Sequence, residues 1–292
     1  MLKTRVLPMS MILLAAMSYG AVTPLVKVAV QSHIPVGWIT VMQYPLPVAA
    51  FLLLTLKVLP RRGPKMLAQP GLVAAIALAA ALTSVTYYRS IALLPPGFAI
   101  VLLFQFAWMV PGLEWALYHK RPTRVHLFTI VGILAGTFLA VPLTPGPYHL
   151  YGILYGLAAG LGYSLTLLWS SRFQTGGSLW PRALATTLLS GIIVVLAYHP
   201  WDMSVMPQSA WIWGSAIGIF SQLMPIWILY RHAPSLGGNL TAILASAELP
   251  VAVALSHLLV SEPITWHQGV GISLMLCSIS AGSLSEPSTQ VH

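Results

Sequence analysis

The residue of this chain with the clearest chemical potential is a glutamate inside an apolar stretch. Glu248 lies near the middle of a long apolar segment, two residues before Pro250. A carboxyl group in such a place must be protonated, paired or turned toward water, because burying an isolated charge is costly. It could carry a proton or bind a substrate ammonium group, and Pro250 leaves a backbone carbonyl without its usual helical partner nearby. The alternative is a protonated carboxyl that hydrogen-bonds a neighbouring helix.

A lysine near the end of the first apolar segment is the second ionisable candidate. Lys27 could bind the carboxylate of a substrate or pair with Glu248 across a central cavity. The alternative is that its long side chain reaches the membrane interface. Arg89 and Glu114 lie near the ends of apolar segments, where interface anchoring and an ion pair are the simpler interpretations. The charged centre of a binding site is therefore predicted at Glu248 and Lys27.

Aromatic and amide side chains in the apolar segments form a second group of candidates. Buried Gln and Asn need hydrogen-bond partners, and Tyr and Trp combine an apolar ring with one polar atom. Such residues can bind a polar metabolite and cover its apolar part, although helix packing explains each one equally well. Gln105 and Trp108, three residues apart, would share one face of a helix. The predicted lining residues are Tyr19, Tyr88, Gln105, Trp108, Tyr163, Gln222 and Asn239.

The elements that must position these residues follow from the composition. Of 292 residues, 57% are hydrophobic and 7% are charged, and the mean hydropathy is +0.82. A water-soluble domain usually has about 25% charged residues, so these few charges cannot cover the surface of a soluble protein. The single cysteine, Cys277, excludes a disulfide scaffold. The composition predicts an all-α polytopic membrane protein.

Ten apolar segments have the length that a bilayer-spanning helix needs, which is about 20 residues. The joining loops are short, so they leave no room for a soluble domain. The first segment is too long for the core of a secretory signal, and we interpret it as an uncleaved helix. The ten predicted spans are residues 7–30, 36–59, 70–88, 95–118, 125–142, 148–171, 179–198, 210–230, 236–260 and 265–284.

The basic residues predict the orientation of these helices, because cytoplasmic loops of membrane proteins are enriched in Lys and Arg. If the N-terminus is cytoplasmic, every Lys and Arg except Lys27 and Arg89 lies on the cytoplasmic side. Both termini then face the cytoplasm, and the polar tail 286–292 is predicted to be disordered. The net charge of +9 is thus a topology signal of a protein in the cytoplasmic membrane, and no nucleic-acid partner is needed to explain it.

Several short patterns recur at spacings of 141 to 144 residues, close to half the chain. The matched pairs are Tyr19 with Tyr163, Tyr88-Arg89 with Tyr230-Arg231, and Arg121-Pro122-Thr123 with Glu262-Pro263-Ile264. Two halves of five helices each must enter the membrane in opposite directions, because five is odd. Inverted repeats of this kind, here residues 1–146 and 147–285, are typical of secondary transporters whose site lies near the membrane midplane between the halves.

The sequence lacks the short signatures of common catalytic and nucleotide-binding sites. Walker, nucleophile-elbow, zinc-protease and dinucleotide-binding motifs are absent, and the five acidic residues are scattered. We therefore predict no enzyme activity, no metal site and no cofactor, and we exclude ATP-driven transport within this chain.

Four stretches resemble, in order along the chain, motifs of EamA-type proteins in the drug/metabolite transporter superfamily. They are the Tyr19-Gly20 pair with Lys27, the junction at residues 90–99, Glu248-Leu249-Pro250, and the turn at residues 261–264. The chain differs from the family pattern at Gln43, where the family often has an arginine. The resemblance implies a ten-helix secondary transporter, often an exporter of amino acids and other small metabolites. It also implies a central cavity surrounded by the first four helices of each half.

These patterns together predict a secondary transporter or exporter of small polar or amphipathic, amino-acid-like metabolites that works by alternating access. Protons are the candidate coupling ion, with facilitated diffusion as the alternative. A non-transporting membrane scaffold or receptor on the same fold is the competing class. Glycines at four-residue spacing, such as Gly132 and Gly136, fit either tight internal packing or a homodimer face, which leaves both a monomer and a homodimer open.

Overall fold

A computed structural model of the chain describes residues 2–62, 68–94, 96–141, 149–174, 178–203, 205–261 and 264–285. All regular secondary structure in these residues is helical, with no β-strand, in agreement with the prediction from composition. The turn at Pro263, the predicted boundary between the halves at residue 146 and the predicted tail 286–292 lie outside the described residues.

The helices of the first half of the chain end just before the undescribed residues 142–148. They are α1 (Leu2–Gln31), α2 (Val36–Met42), α3 (Pro45–Arg62), α4 (Pro70–Leu93), α5 (Pro96–Leu103), α6 (Phe106–Tyr118) and α7 (Arg124–Ala140). The helices of the second half are α8 (Leu150–Ser170), α9 (Leu179–Tyr198), α10 (Ser209–Gly218), α11 (Met224–Leu236), α12 (Gly238–Ala245), α13 (Glu248–Val260) and α14 (Trp266–Ser285). A short 3₁₀-helix (Pro200–Asp202) follows α9, and a π-helical turn (Ile219–Leu223) joins α10 to α11.

Within the described residues, eight helical segments are long and apolar enough to cross a membrane. They are Arg5–Gln31, Val36–Val58, Pro70–Leu93, Phe98–Tyr118, Leu150–Ser170, Leu179–Asp202, Ser209–Leu236 and Gly238–Leu259. These eight coincide with eight of the ten predicted spans. The predicted fifth span corresponds to α7, a shorter apolar helix of 17 residues. The predicted tenth corresponds to α14, which has 20 residues but is not one of the eight.

Several of the long segments are interrupted near their middle. Pro45, which cannot donate a backbone hydrogen bond, begins α3 directly after the break that ends α2. Pro225 follows the π-helical turn between α10 and α11 in the same way. Interrupted helices leave backbone carbonyls available to a cavity, and they give a helix a place to bend.

The interrupted segments α5–α6 and α12–α13 have matching dimensions. Each consists of a helix of 8 residues and, after a two-residue break, a helix of 13 residues. At both breaks a backbone N–H donates to the carbonyl O three residues earlier, as in a 3₁₀-helix. These bonds run from Ala107 N to Phe104 O at 3.1 Å and from Ala247 N to Leu244 O at 3.1 Å. The first residues of α5 and α12, of α6 and α13, and of α7 and α14 are all separated by 142 positions.

The same spacing relates the residues that start α7 and α14. Thr123 Oγ1 accepts a hydrogen bond from the backbone N–H of His126 at 3.3 Å, and Thr265 Oγ1 accepts one from Gln268 at 3.4 Å. A threonine in this position satisfies a backbone donor that the first turn of a helix leaves without a partner. The capping geometry thus makes Gln268 the equivalent of His126.

The long helices pack around one another, and α7 and α14 form a pair at one side. Helix α4 packs against α8 and α9, and α1 packs against α11 and α13. Helices α7 and α14 pack chiefly on each other, with further contacts to α6, α12 and α13. This arrangement leaves the interior of the molecule to the other helices.

The close approach of α7 and α14 depends on glycine. A Cβ atom on Gly271 would lie 2.5 Å from the backbone N of Ala140 and 2.6 Å from the carbonyl O of Gly136. We expect Gly271→Val to lower the free energy of unfolding by about 1–3 kcal/mol, because backbone atoms cannot move aside. Thermal unfolding of the purified protein in detergent micelles measures this loss. The control is Gly269→Val on the same helix, where an added Cβ meets nothing within 4 Å; equal losses would contradict the packing role.

Candidate functional site

A central cavity of about 140 Å³ lies where the interrupted helices meet. Residues of α1, α4, α8, α9, α11 and α13 line it, together with the α2–α3 break and the π-helical turn. Its wall is rich in hydroxyl, amide and phenol groups. The five tyrosines and the acid are Tyr19, Tyr87, Tyr88, Tyr163, Tyr230 and Glu248; the other polar lining residues are Thr23, Gln43, Thr83, Ser84, Thr166, Thr186, Ser221 and Gln222.

Glu248 is the first residue of α13 and its half-buried side chain borders this cavity. The hydroxyl of Tyr163 donates a hydrogen bond to Glu248 Oε2 at 3.2 Å. The Tyr163 ring is held edge-on between two others, with centroids 5.8 Å from Tyr19 and 4.9 Å from Phe106. Edge-to-face contacts of this kind favour a fixed ring orientation. The carboxyl group is therefore positioned by a rigid aromatic support.

Helix α1 comes very close to the backbone of α13 beside the carboxyl group. A Cβ atom on Gly20 would lie 2.6 Å from the carbonyl O of Glu248 and 2.9 Å from Cβ of Val251. Only glycine allows this approach without displacing a backbone atom. The approach brings Tyr19, the preceding residue, to the same cavity as Glu248.

A group of hydrogen bonds joins the π-helical turn to α1 and to the α2–α3 break. Ser221 Oγ donates to Gln43 Oε1 at 2.9 Å, and Gln43 Nε2 donates to the carbonyl O of Thr40 at 3.0 Å. Ser18 Oγ donates to the carbonyl O of Phe220 at 2.8 Å. These bonds satisfy buried polar groups that would otherwise be costly, and they fix Gln43 and Ser221 in the cavity wall.

A larger cavity of about 580 Å³, which we call the vestibule, adjoins the central cavity. The two share the wall residues Val22, Thr23, Tyr87 and Tyr88. The vestibule lies between the C-terminal parts of α1, α4 and α7, the N-terminal part of α13 and the start of α14, and most of its lining is Val, Ile, Leu and Ala. Lys27 lies on its wall. The two cavities therefore adjoin each other at these residues.

Away from the vestibule, the cavity residue Tyr230 belongs to a stack of side chains. The ring of Tyr230 packs edge-on against Phe173, with centroids 4.7 Å apart. The guanidinium carbon of Arg182 lies 4.7 Å from the centroid of the same Phe173 ring. Arg182 is only 3% exposed, so this charged side chain is enclosed by its neighbours.

The buried guanidinium group of Arg182 is bound by oxygen atoms from two chain segments that flank helices. Its three hydrogen bonds run to the carbonyl O of Ala68 at 3.4 Å, the carbonyl O of Gln174 at 3.1 Å and Gln69 Oε1 at 3.5 Å. Gln69 Oε1 also accepts from the backbone N–H of Gln174 at 2.9 Å. We call Gln69, Phe173, Gln174, Arg182 and Tyr230 the Arg182 cluster. It ties the start of α4 to the segment between α8 and α9.

The structure brings five of the nine candidate residues together and separates the others from them. Tyr19, Tyr88, Tyr163, Gln222 and Glu248 line the central cavity, and Lys27 lines the vestibule.

Three further candidates line neither of these cavities. Trp108 Nε1 donates to Gln105 Oε1 at 2.9 Å, and Trp108 is 46% exposed. Asn239 lies at the start of α12, where its buried Oδ1 finds no hydrogen-bond partner among the described residues.

Some residues of the site were not among the sequence candidates. Gln43, Ser221 and Tyr230 line the central cavity, and Arg182 packs behind Tyr230 on the ring of Phe173. Tyr230 occupies the position equivalent to the candidate Tyr88, so the repeat spacing could have identified it. No comparable signal marks Arg182, because its partners come from distant parts of the chain.

The described residues contain no group of three or more His, Cys, Asp or Glu side chains that could hold a metal ion. Two other ionisable residues named by the sequence analysis lie elsewhere. Glu114 Oε1 lies 3.9 Å from Arg172 Nη2, and Arg89 donates to the carbonyl O of Ala197 at 3.4 Å. These contacts fit the structural interpretation of both residues.

Comparison with known proteins gives a family, a relative and a fold. A model of the EamA-like transporter family matches residues 6–141 and again residues 150–281. An "Uncharacterized transporter sll1319" from Synechocystis sp. is 28% identical over 211 residues, which are 67% of this chain and 61% of that protein. The match therefore spans less than two thirds of the relative. A solved structure described only as "Crystal structure of protein" has a TM-score of 0.72 at 18% identity, covering 94% of this chain and 97% of the other.

Proposed function

Because this chain belongs to the EamA-like transporter family, we propose that it is a secondary transporter that moves small polar or amphipathic metabolites by alternating access. The observation that carries the proposal is the central cavity. Its wall contains Glu248 together with hydroxyl, amide and phenol groups, the vestibule adjoins it on one side, and we propose that the Arg182 cluster closes it on the other. A binding site reached from one side at a time is the defining property of alternating access.

We propose that residues 1–146 and 147–285 are two inverted repeats, with α7 and α14 as the fifth and tenth spans. The double match of the family model and the 142-residue spacing of helix starts support this. Helix contacts support it too, because they come in equivalent pairs. The packing of α4 on α8 corresponds to that of α11 on α1, and the packing of α4 on α9 to that of α10 on α2.

We infer that the protein lies in the cytoplasmic membrane with both termini inside. The distribution of basic residues supports this orientation. The vestibule, with Lys27 on its wall, would then open toward the outer side, and the Arg182 cluster would lie on the cytoplasmic side. The conformation described here is accordingly open to the outside.

The proposed cycle uses the breaks in the helices as pivots. Substrate contacts Glu248 and the tyrosines around it, and the helix ends that surround the vestibule then close over it. The breaks after α5 and α12 are suited to this motion, since both lie beside the cavity and are bound by fewer regular helical bonds. Opening of the Arg182 cluster would release the substrate to the other side.

A flux measurement tests the proposal. Proteoliposomes that contain the purified protein should take up at least one solute from a panel of amines, amino acids and organic acids faster than protein-free liposomes. If protons are the coupling ion, an imposed pH gradient should accelerate this uptake, whereas equal rates with and without the gradient would leave facilitated diffusion. Absence of flux for every solute under both conditions would contradict transport and favour a scaffold or receptor.

A further inference from the structure

We propose that the central cavity selects an organic cation, a protonated or quaternary amine that carries an apolar body. This inference rests on the proposed transport function and names its substrate class. Four features of the cavity lead to it: the sign of its charge, its aromatic wall, the division of space between the two cavities and the position of Lys27.

The first feature is the charge of the cavity wall. Among the described residues that line the central cavity, Glu248 is the sole carboxylic acid and none is Lys, Arg or His. An anionic substrate would face a carboxyl group with no compensating positive charge, which is costly in an enclosed site. A cation would instead provide the partner that an ionised carboxylate requires.

The second feature is the number of tyrosine rings. Tyr19, Tyr87, Tyr88, Tyr163 and Tyr230 come from four helices and line one space of about 140 Å³. Aromatic rings attract ammonium groups, and aromatic cages are a common way to bind quaternary ammonium ligands. Five rings around one carboxyl group thus match the headgroup of an amine better than that of any acid.

The third feature is the contrast between the two connected cavities. The central cavity is smaller and has more hydroxyl, amide and phenol side chains in its wall, whereas the vestibule has about 580 Å³ and is lined largely by Val, Ile and Leu. A ligand that occupies both would place a small headgroup beside Glu248 and an apolar body among these side chains. This division predicts an amphipathic molecule with its charge at one end.

The fourth feature argues against an α-amino acid. Lys27 follows Tyr19 by eight positions on α1, which corresponds to about 12 Å along a helix. In an α-amino acid the ammonium and the carboxylate are attached to the same carbon atom. Lys27 lines the vestibule and not the central cavity, so an ammonium group beside Glu248 would leave the carboxylate on the same carbon in a cavity whose described lining has no Lys, Arg or His. The sequence predicts an amino-acid-like substrate, and the cavity favours amines without a carboxylate within that class.

A matched series of solutes tests this inference on the unaltered full-length protein. 2-Phenylethylamine, its trimethylated quaternary derivative, L-phenylalanine and 3-phenylpropionate share a phenyl body and differ in headgroup charge. We expect the two cations to bind at least about tenfold more tightly than the other two, because only they bring a net positive charge to Glu248. A tenfold difference in affinity corresponds to about 1.4 kcal/mol. Titration calorimetry on protein in lipid nanodiscs measures the affinities, with empty nanodiscs as the correction for partition into lipid.

Substitution of one ring provides a second measurement. Tyr87→Leu should weaken binding of the quaternary amine several-fold, and Tyr87→Phe, which keeps the ring, should weaken it less. The control is Tyr151→Leu, since Tyr151 is 72% exposed and lies outside both cavities. Equal losses in the Leu and Phe variants of Tyr87 would contradict a role of the ring.

The outcomes separate this inference from the proposed function. Binding of 3-phenylpropionate or L-phenylalanine as tight as that of 2-phenylethylamine would overturn the inference. Flux of anionic or zwitterionic solutes without flux of any amine would also overturn the inference. The proposed transport function would still stand in that case. Absence of flux for every solute would overturn the proposed function itself.

Discussion

Glu248→Gln should lower the initial rate of substrate uptake into proteoliposomes at least about tenfold. The substitution keeps the shape of the side chain but removes its charge, and a hydrogen bond to a charged group contributes about 1.5–3 kcal/mol. Glu248 is the sole carboxylic acid among the described residues of the central cavity, so no neighbour can replace it. The measurement is the uptake of a labelled substrate, normalised to the amount of protein inserted.

Two further variants show whether the effect belongs to the cavity. Asp202→Asn changes an exposed acid outside both cavities, and uptake should stay within about twofold of the unaltered protein. Tyr163→Phe removes the hydroxyl that donates to Glu248, and since a hydrogen bond to a charged group contributes about 1.5–3 kcal/mol, a loss of about tenfold is expected here too. Unchanged uptake by a fully inserted Glu248→Gln protein would show that the carboxyl group has only a structural role.

Arg182→Met should expose the central cavity to the side that we propose is cytoplasmic. The variant keeps an apolar side chain against Phe173 but loses the hydrogen bonds to Ala68, Gln69 and Gln174. Each such hydrogen bond to a charged group contributes about 1.5–3 kcal/mol. A loss of about 1.4 kcal/mol already shifts the equilibrium between the closed and the open cavity tenfold. A cysteine placed in the cavity should therefore react at least about ten times faster with an impermeant maleimide applied from the cytoplasmic face.

A single substitution removes the native thiol that would also react with the maleimide, because the sequence contains one cysteine, the exposed Cys277. In a Cys277→Ser protein, Thr186→Cys puts the reporter into the wall of the central cavity. The matched control is Arg124→Met, which removes an exposed arginine at the start of α7. If Arg182→Met and Arg124→Met label at the same rate from the cytoplasmic face, the Arg182 cluster does not close the cavity.

The position of Glu248 beside tyrosines could be predicted from residue types, whereas Lys27, the other half of the predicted charged centre, lines the adjoining vestibule. A glutamate in an apolar helix needs a polar environment, whatever the fold, and Glu248 indeed borders a cavity with Tyr19 and Tyr163. The face of a helix that points inward is a different matter. Gln105 and Trp108 do share one face and bond to each other, but spacing cannot tell whether that face meets a cavity or the outside.

The closed side of the cavity could not be predicted, because it depends on contacts between distant segments. Arg182 reads in the sequence as one more basic residue of a cytoplasmic loop, yet its partner Gln69 is 113 positions away. The number of membrane-spanning helices was also harder to predict than the all-helical fold class. Composition alone indicates an all-helical membrane protein, but α7 has only 17 residues and needs α14 as a partner.

The matching breaks in the two halves hold different side chains at equivalent places. Glu248 begins α13 and Phe106 begins α6, and the two contact the same tyrosine, one through its hydroxyl and the other through its ring. Duplication of the helix pattern has thus not duplicated the charge. A cycle that exchanges one monovalent cation for one proton on this carboxyl group would be electroneutral, so the membrane potential would neither drive nor oppose it.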